Sequence, residues 1–382
     1  MKKVLLILSC LLSLAACTTQ KKGFAKFEIP DLEPKPDFWQ VCPEEIIDLC
    51  KSVKVGRAEV VATTPLGFPV YAYFYGDFNE PAPQTNWSAG NSSTSVGSYL
   101  GSVGHKQTIM YISGVHGAEP EGVAAATNLI RMLETGKDFR GQSDPELLSL
   151  CSKYRLIIMP CVNMDGRSIS PDHLREQPYE VFRAACQGTW EDGSLVGWRG
   201  SKEWFPLPLD KVSFPGGYPN SEGYNIQHDV TPGDMRTEEA KAVCRLMARW
   251  SVDFLLNAHS CESAPSVIAP SQVNTKVHID RELELIDKAN EAIMAAGLRN
   301  NVPKINRDNL PTTINLTNLA NWCSGAAGLT LECSSSYDNI HKPTVLYTFD
   351  QLMEPCFITL KVIMESGLES PLAGRPEINT KK

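Results

Sequence analysis

Two spacings of apolar residues organise this chain. From Gln107 onward, short apolar runs at Thr108–Ile112, Arg155–Met159, Val252–Leu256 and Gly328–Leu331 alternate with longer segments whose apolar positions recur every three to four residues. The short runs read as buried strands. The longer segments, Pro120–Leu133, Glu238–Trp250, Glu282–Ala296 and Phe349–Glu365, read as amphipathic helices. Thr237 stands where an N-cap is needed, and Pro120 suits a first helical residue because its missing N–H costs nothing there. Such alternation predicts an α/β domain. Ahead of it, Arg57–Ala62 and Val70–Tyr75 form a predicted strand pair turned through Pro65-Leu66-Gly67, followed by an exposed Gly, Ser and Asn loop from Asn79 to Gly104. No internal repeat is present.

The N-terminus follows a different logic. Lys2 and Lys3 precede an apolar run from Val4 to Leu14, too short to span a bilayer, which ends in Leu14-Ala15-Ala16-Cys17. That tetrapeptide resembles the bacterial lipobox, so residues 1–16 are expected to be a lipoprotein signal peptide and Cys17 the lipidated residue, anchoring the chain to a membrane. Residues 17–53, with prolines at 30, 34 and 36, read as an extended tether, 54–370 as the folded domain and 371–382 as a tail. The expected location is the bacterial cell envelope, outside the cytoplasm. Export permits disulfides. Of the 12 cysteines, Cys42 and Cys50 are close enough in sequence for a local loop, whereas Cys161, Cys323 and Cys333 sit in apolar surroundings suited to buried thiols, and no Cys-x-x-Cys spacing marks a thiolate metal site.

With 42% hydrophobic and 21% charged residues over 382 positions, the body has the composition of a globular protein. A net charge of −8, with no basic stripe, excludes nucleic acid as a partner.

Candidate chemistry falls where the strands end. The first strand runs into Ser113-Gly114-Val115-His116-Gly117-Ala118-Glu119-Pro120, which puts His116 in a turn and Glu119 at a helix start. His259, in Asn257-Ala258-His259-Ser260, closes another strand at the same sheet edge, the edge at which open α/β sheets place their ligands. Two histidines and a glutamate can hold zinc and leave a fourth position for water. By itself His-x-x-Glu is a common chance pairing. Glu332, inside the apolar string Leu329-Thr330-Leu331-Glu332-Cys333, adds weight because a buried carboxylate is costly without a partner or a task.

Together, His116-x-x-Glu119, the strand before His259-Ser260 and Thr330-x-Glu332 resemble the motifs of the carboxypeptidase A-like zinc metallocarboxypeptidases, over roughly residues 54 to 366. Val162-Asn163-Met164-Asp165-Gly166 is similar to that family's Asn-Pro-Asp-Gly turn, with Met in place of Pro. The resemblance implies a single α/β/α domain with a central mixed eight-stranded sheet and one Zn2+ on His116, Glu119 and His259. It also implies Glu332 as general base in peptide hydrolysis. An arginine is implied to face the oxyanion, with Arg199 in Trp198-Arg199 the first choice and Arg167 the second. Where the family carries an Asn-Arg pair for a terminal carboxylate, this chain has Gln227 and His228, and Asn225 stands where an aspartate orients a zinc-bound imidazole. No tyrosine lies between His259 and Glu332 to supply the family's capping phenol. The insertion-like stretch between Gly166 and Glu222 carries Trp190, Trp198, Trp204 and Phe205, suited either to a wall over the zinc or to packing. Substrates in keeping with these features are peptides, among them peptidoglycan stem peptides and imported protein fragments. Two alternatives stand beside this reading: a deacylase of N-acyl amino acids, similar to succinylglutamate desuccinylase or aspartoacylase, and a zinc-containing binding lipoprotein without turnover, for which Glu332 has no use.

Overall fold

The computed structural model describes residues 23–79, 106–231, 233–338 and 345–373. The signal-like segment, Cys17 and nearly all of the Asn79–Gly104 loop lie outside them. Strands in chain order are β1 (Arg57–Thr63), β2 (Pro69–Tyr75), β3 (Thr108–Ser113), β4 (Arg155–Met159), β5 (Thr189–Trp190), β6 (Val212–Phe214), β7 (Phe254–Glu262), β8 (Ser266–Val267) and β9 (Ala327–Ser334). The helices are α1 (Pro43–Leu49), α2 (Glu121–Thr135), α3 (Pro145–Cys151), α4 (Met164–Ile169), α5 (Tyr179–Gln187), α6 (Gly197–Glu203), α7 (Glu238–Trp250), α8 (Lys276–Ala295), α9 (Leu319–Ser324) and α10 (Phe349–Glu369).

The four apolar runs lie side by side. β4, β3, β7 and β9 pair in parallel, and every residue of β3 and β4 is buried, as expected of strands covered on both faces. Antiparallel β2 and β1 extend one edge and antiparallel β8 the other, giving a mixed sheet in the order β1-β2-β4-β3-β7-β9-β8. The sheet has seven strands among the described residues rather than eight. It stops at β8, a two-residue edge strand bracketed by Pro265 and Pro270, which have no N–H to extend a ladder, while β5 and β6 pair with each other apart from it. Helices α2, α8 and α10 pack together and onto the sheet, and α7 and α9 form a second group against β1 and β9. No helix among the described residues is long and apolar enough to cross a membrane.

Local chemistry sets some helix ends and distant partners set others. Thr237 caps α7 by accepting from the Ala240 N–H at 3.3 Å, whereas Pro120 stands at the N-cap of α2, one position before the expected one. α8 begins at Lys276, six residues ahead of the apolar pattern, because its first turns bury polar residues. There His278 Nε2 meets Gly325 O at 2.7 Å, Arg281 donates to Ser366 O at 3.0 Å, and Glu282 accepts from the Gly328 N–H at 2.9 Å.

The supposed tether belongs to the body from residue 24 on. Trp39 is fully buried, its ring edge-on to Phe349 at 5.0 Å and its Nε1–H donating to Asp172 O at 2.9 Å. The Phe27 N–H donates to Ile169 O at 2.8 Å, and Phe24, Phe27 and Ile29 pack into small apolar clusters. Prolines keep the segment extended, but its aromatic side chains bind it down, since each buried ring removes a large apolar area from water. The tail is likewise shorter: Leu372 and Ala373 are buried, and residues 374–382 lie outside the described residues. Cys42 and Cys50 stand at opposite ends of α1 as separate thiols. Cys161 and Cys333 are buried thiols, and Cys323 is half-buried.

Burial pushes the Glu282 carboxyl up to about 7, against the Gly328 N–H and Asn274 amide that bond its charged form. A carboxyl raised in the folded state binds more protons there than in the unfolded chain between pH 4.5 and 7. Its contribution to stability is therefore present below about pH 4.5 and lost as pH rises through 7. Glu282→Gln is expected to flatten that part of the stability profile by up to about 3 kcal/mol, measured by urea unfolding at pH 5 and 7. Identical pH slopes in mutant and parent would disprove the assignment.

Candidate metal centre

The turn after β3 is built so that two ligands return over the sheet edge. Gly114 takes φ +57°, a conformation costly for other residues, and a Cβ on Gly117 would lie 2.1 Å from the backbone of Gly166 and Arg167. Gly122 brings α2 close, since a Cβ there would stand 2.8 Å from Ala258 Cβ and 2.9 Å from Ser113 Cβ. Glu119, just ahead of α2, is thereby lowered onto the ends of β3 and β7.

Four donor atoms converge there. His116 Nδ1 and Glu119 Oε1 are 2.8 Å apart, His259 Nδ1 and Glu119 Oε2 are 2.8 Å apart, and the two Nδ1 atoms are 3.3 Å apart. All three residues are buried, and their potential ligand atoms lie within 4.8 Å of one another. The set fits a small divalent cation: tetrahedral ligands at ~2.0–2.1 Å from zinc stand about 3.3 Å from each other, the separation of the two Nδ1 atoms here, and imidazole nitrogens with a carboxylate are a donor set that zinc takes. Burial opposes ionisation of Glu119, yet the two histidines hold its carboxyl well below the usual range; burial draws the His259 imidazole below its ordinary value, against the attraction of Glu119. The Ser260 N–H adds a third bond to Glu119 Oε2 at 3.1 Å.

Around the ligands stand residues that set the rings. Asn225 Oδ1 is 3.1 Å from His116 Nε2, at the position where the family resemblance implies such a partner, so the outer partner of that imidazole is a neutral amide. Tyr218, which sequence reasoning missed, stacks on His116 with centroids 4.0 Å apart. Asn163 caps α4 through the Gly166 N–H at 2.9 Å and donates to Tyr218 O at 3.0 Å, so the Asn-Met-Asp-Gly turn supports the stacking tyrosine.

Glu332 lies beside His259, its register partner across β7 and β9. Its carboxyl faces a cavity of about 180 Å3 that also includes His116, His259, Trp198, Lys202, Gln227 and His228 in its walls. Burial, with the Glu119 and Glu262 carboxylates nearby, pushes the Glu332 carboxyl well above its ordinary value, and a bound cation opposes that shift. Gln227 is buried and accepts from Asn257 Nδ2 at 3.0 Å. His228 lines the cavity, and burial, then His116 and Lys202, bring its imidazole down to about 3, which disfavours the charged form.

Neither proposed arginine reaches the cavity. Arg199 on α6 has a side chain 90% exposed and pairs with Glu203, one helical turn on. Arg167 is buried, but its guanidinium donates to Gly117 O at 2.6 Å, to Ser170 O at 2.9 Å and to Pro171 O, which makes it a clamp on the turn carrying His116. Helical geometry decides which cation turns inward. Residues four apart share a face, so Trp198 and Lys202 point together toward the cavity while Arg199 and Glu203 share the solvent face. Lys202 Nζ sits 3.9 Å from the centre of the Trp198 ring and makes no hydrogen bond or ion pair among the described residues. Burial lowers its pKa, against the attraction of Glu332. Of the insertion's other aromatics, Trp204 and Phe205 remain largely exposed, and Trp190 packs beside Val196, Leu207 and Val212.

Residues 90–329 match the profile of the zinc carboxypeptidases, a span that holds His116, Glu119 and His259 and ends three residues before Glu332. The chain belongs to the zinc carboxypeptidase family. No curated protein matches it. Among solved structures it is similar in fold to the carboxypeptidase A of Helicoverpa armigera, with 16% identity and a TM-score of 0.52 over 90% of this chain and 76% of that one. A metallo-carboxypeptidase of Pseudomonas aeruginosa, solved with (2-guanidinoethylmercapto)succinic acid, matches at 14% identity and a TM-score of 0.52, over 85% and 68% of the respective chains. One from Burkholderia cenocepacia gives 14% and 0.51 over 84% and 68%. The zinc carboxypeptidase motifs of this chain thus coincide in space with the His-Glu-His cluster and the cavity beside it.

Proposed function

We propose that the chain is a zinc-dependent hydrolase that cleaves an amide bond in peptides outside the cytoplasm, held at a membrane by a lipid on Cys17. The observation that carries the catalytic part is the convergence of His116, Glu119 and His259 at one end of a cavity whose wall includes Glu332. Zinc held by those three residues supplies a Lewis acid for the amide carbonyl and lowers the pKa of water at the site. Glu332 accepts the proton of the attacking water and passes it to the departing amine nitrogen. For that task a carboxyl raised above its free value is suited, because it is a stronger base than a free carboxylate toward the proton of water. Lys202 takes the part expected of Arg199: its ammonium faces the negative charge that grows on the carbonyl oxygen. Trp198 holds Lys202 in place through its ring face. The lipid anchor rests on Leu14-Ala15-Ala16-Cys17.

The zinc-loaded protein is expected to release free amino acids from N-acyl dipeptides, detected as new primary amine. Lys202→Met should lower kcat by about 10²-fold with KM nearly constant, while Arg199→Ala changes neither by more than about twofold. Absence of amine release from both peptides and N-acyl amino acids sinks the hydrolase reading; an Arg199→Ala effect larger than that of Lys202→Met restores the arginine.

A further inference from the structure

The metal and Glu332 occupy only one end of the cavity. Strand alternation carries its wall further along β9, with β7 buried beside it, since residues two apart point to the same side. Two positions before His259 stands Asn257, two before Glu332 stands Thr330, and these are register partners across the parallel pair. At ~3.3 Å per residue, this floor lies about 7 Å from the catalytic level, within reach of one substrate side chain.

The floor is polar where strand interiors are ordinarily apolar. Asn257 Nδ2 donates to Gln227 Oε1 at 3.0 Å and to Thr317 Oγ1 at 3.1 Å, and Thr317 Oγ1 lies 2.8 Å from Thr330 Oγ1. All four residues are buried, and Gln227, Thr317 and Thr330 line the cavity. Gly328 lets the Thr317 segment seat tightly, because a Cβ there would stand 2.9 Å from Thr317 O. Two amides joined by one hydrogen bond leave one oxygen and one NH2 outside it, whichever way round they stand. Asn257 Oδ1 indeed meets no donor among the described residues. Apart from Lys202, Glu332 and the histidines, every residue lining the cavity is uncharged. A cationic or anionic side chain would therefore find no counter-charge at the floor, and an apolar one would cover amide and hydroxyl groups without satisfying them, at the cost of their hydration.

We propose that this floor selects the residue released as the amine, admitting an uncharged side chain that both donates and accepts hydrogen bonds, a carboxamide or a hydroxyl. This rests on the peptidase reading above.

The test separates binding from turnover. Zinc-loaded Glu332→Gln protein is titrated calorimetrically with N-benzoylglycyl dipeptides ending in Gln, Thr, Leu, Phe, Lys or Glu. The Gln and Thr peptides are expected to bind about tenfold tighter than the other four, the equivalent of one or two well-made hydrogen bonds. In the same background Thr317→Val should erase that preference and Thr317→Ser should keep it. Tighter binding of the Leu, Phe, Lys or Glu peptide, equal binding of all six, or a preference that survives Thr317→Val overturns the proposal. Hydrolysis by the unaltered enzyme decides the peptidase reading separately, so a selective site without turnover and a turning-over site with another preference give different results.

Discussion

Glu332→Gln is expected to leave zinc bound and to lower turnover by roughly 10²–10⁴-fold, the range typical of a lost general base. The change keeps the volume of the side chain and its place beside His259, and it removes only the capacity to accept a proton. Glu332 is not among the three residues whose donor atoms converge, so metal content should stay equal to that of the parent. Stability offers an independent reading. Burial and two neighbouring carboxylates make an ionised Glu332 unfavourable, so the neutral amide should unfold at the same or a higher temperature than the parent, as happens where catalysis requires a costly buried charge. Loss of activity with zinc and stability retained identifies the base. Full hydrolysis by the mutant would show that the proton goes elsewhere.

Removing a ligand acts on a different quantity. Glu119→Ala is expected to lose zinc and activity together, because both carboxylate oxygens are engaged, one facing His116 and the other His259 and the Ser260 N–H. The mutation strips those buried groups of their partner, so the protein should also be destabilised without metal, by about 2–4 kcal/mol. His259→Ala should lose zinc too, but with a smaller penalty in the metal-free state, since Glu119 keeps His116 and the Ser260 N–H. Elemental analysis after equilibration with zinc, paired with thermal unfolding with and without chelator, tests both. In the parent, free zinc at a hundred times its dissociation constant adds ~2.7 kcal/mol, and neither mutant should show that gain. Zinc retained at one per chain in Glu119→Ala would remove this carboxylate from the site.

Much of the architecture was legible in the order of residues. Apolar runs with no polar face marked β3, β4 and the central part of β9, because strands covered on both sides must be apolar throughout. Amphipathic spacing marked α2, α7 and α10, and the turn around His116 and Glu119 was visible because Gly114 answers a local demand of the backbone, whereas Gly117 makes room for the distant Gly166 and Arg167. The three candidate ligands and Glu332 were legible for the same reason. Each is tied to a strand end or strand interior whose position follows from local pattern.

What tertiary structure alone decided concerns side chains whose direction depends on distant partners. α6 is too short and too polar to announce itself, and only its docking turns Trp198 and Lys202 inward and leaves Arg199 to solvent. The start of α8 was hidden because His278, Arg281 and Glu282 are satisfied by carbonyl and N–H groups from 47, 85 and 46 residues away, partners that hydrophobic periodicity does not register. The segment from Phe24 to Trp39 resembles a spacer in composition, yet its aromatic rings find apolar surface on the folded body. The polar floor of the cavity arises only when Gln227, Asn257, Thr317 and Thr330, from four separate stretches, share hydrogen bonds. Periodicity reports how a residue relates to its own element; the charge and hydrogen bonding of this cavity come from contacts between elements, which form only when the chain is folded.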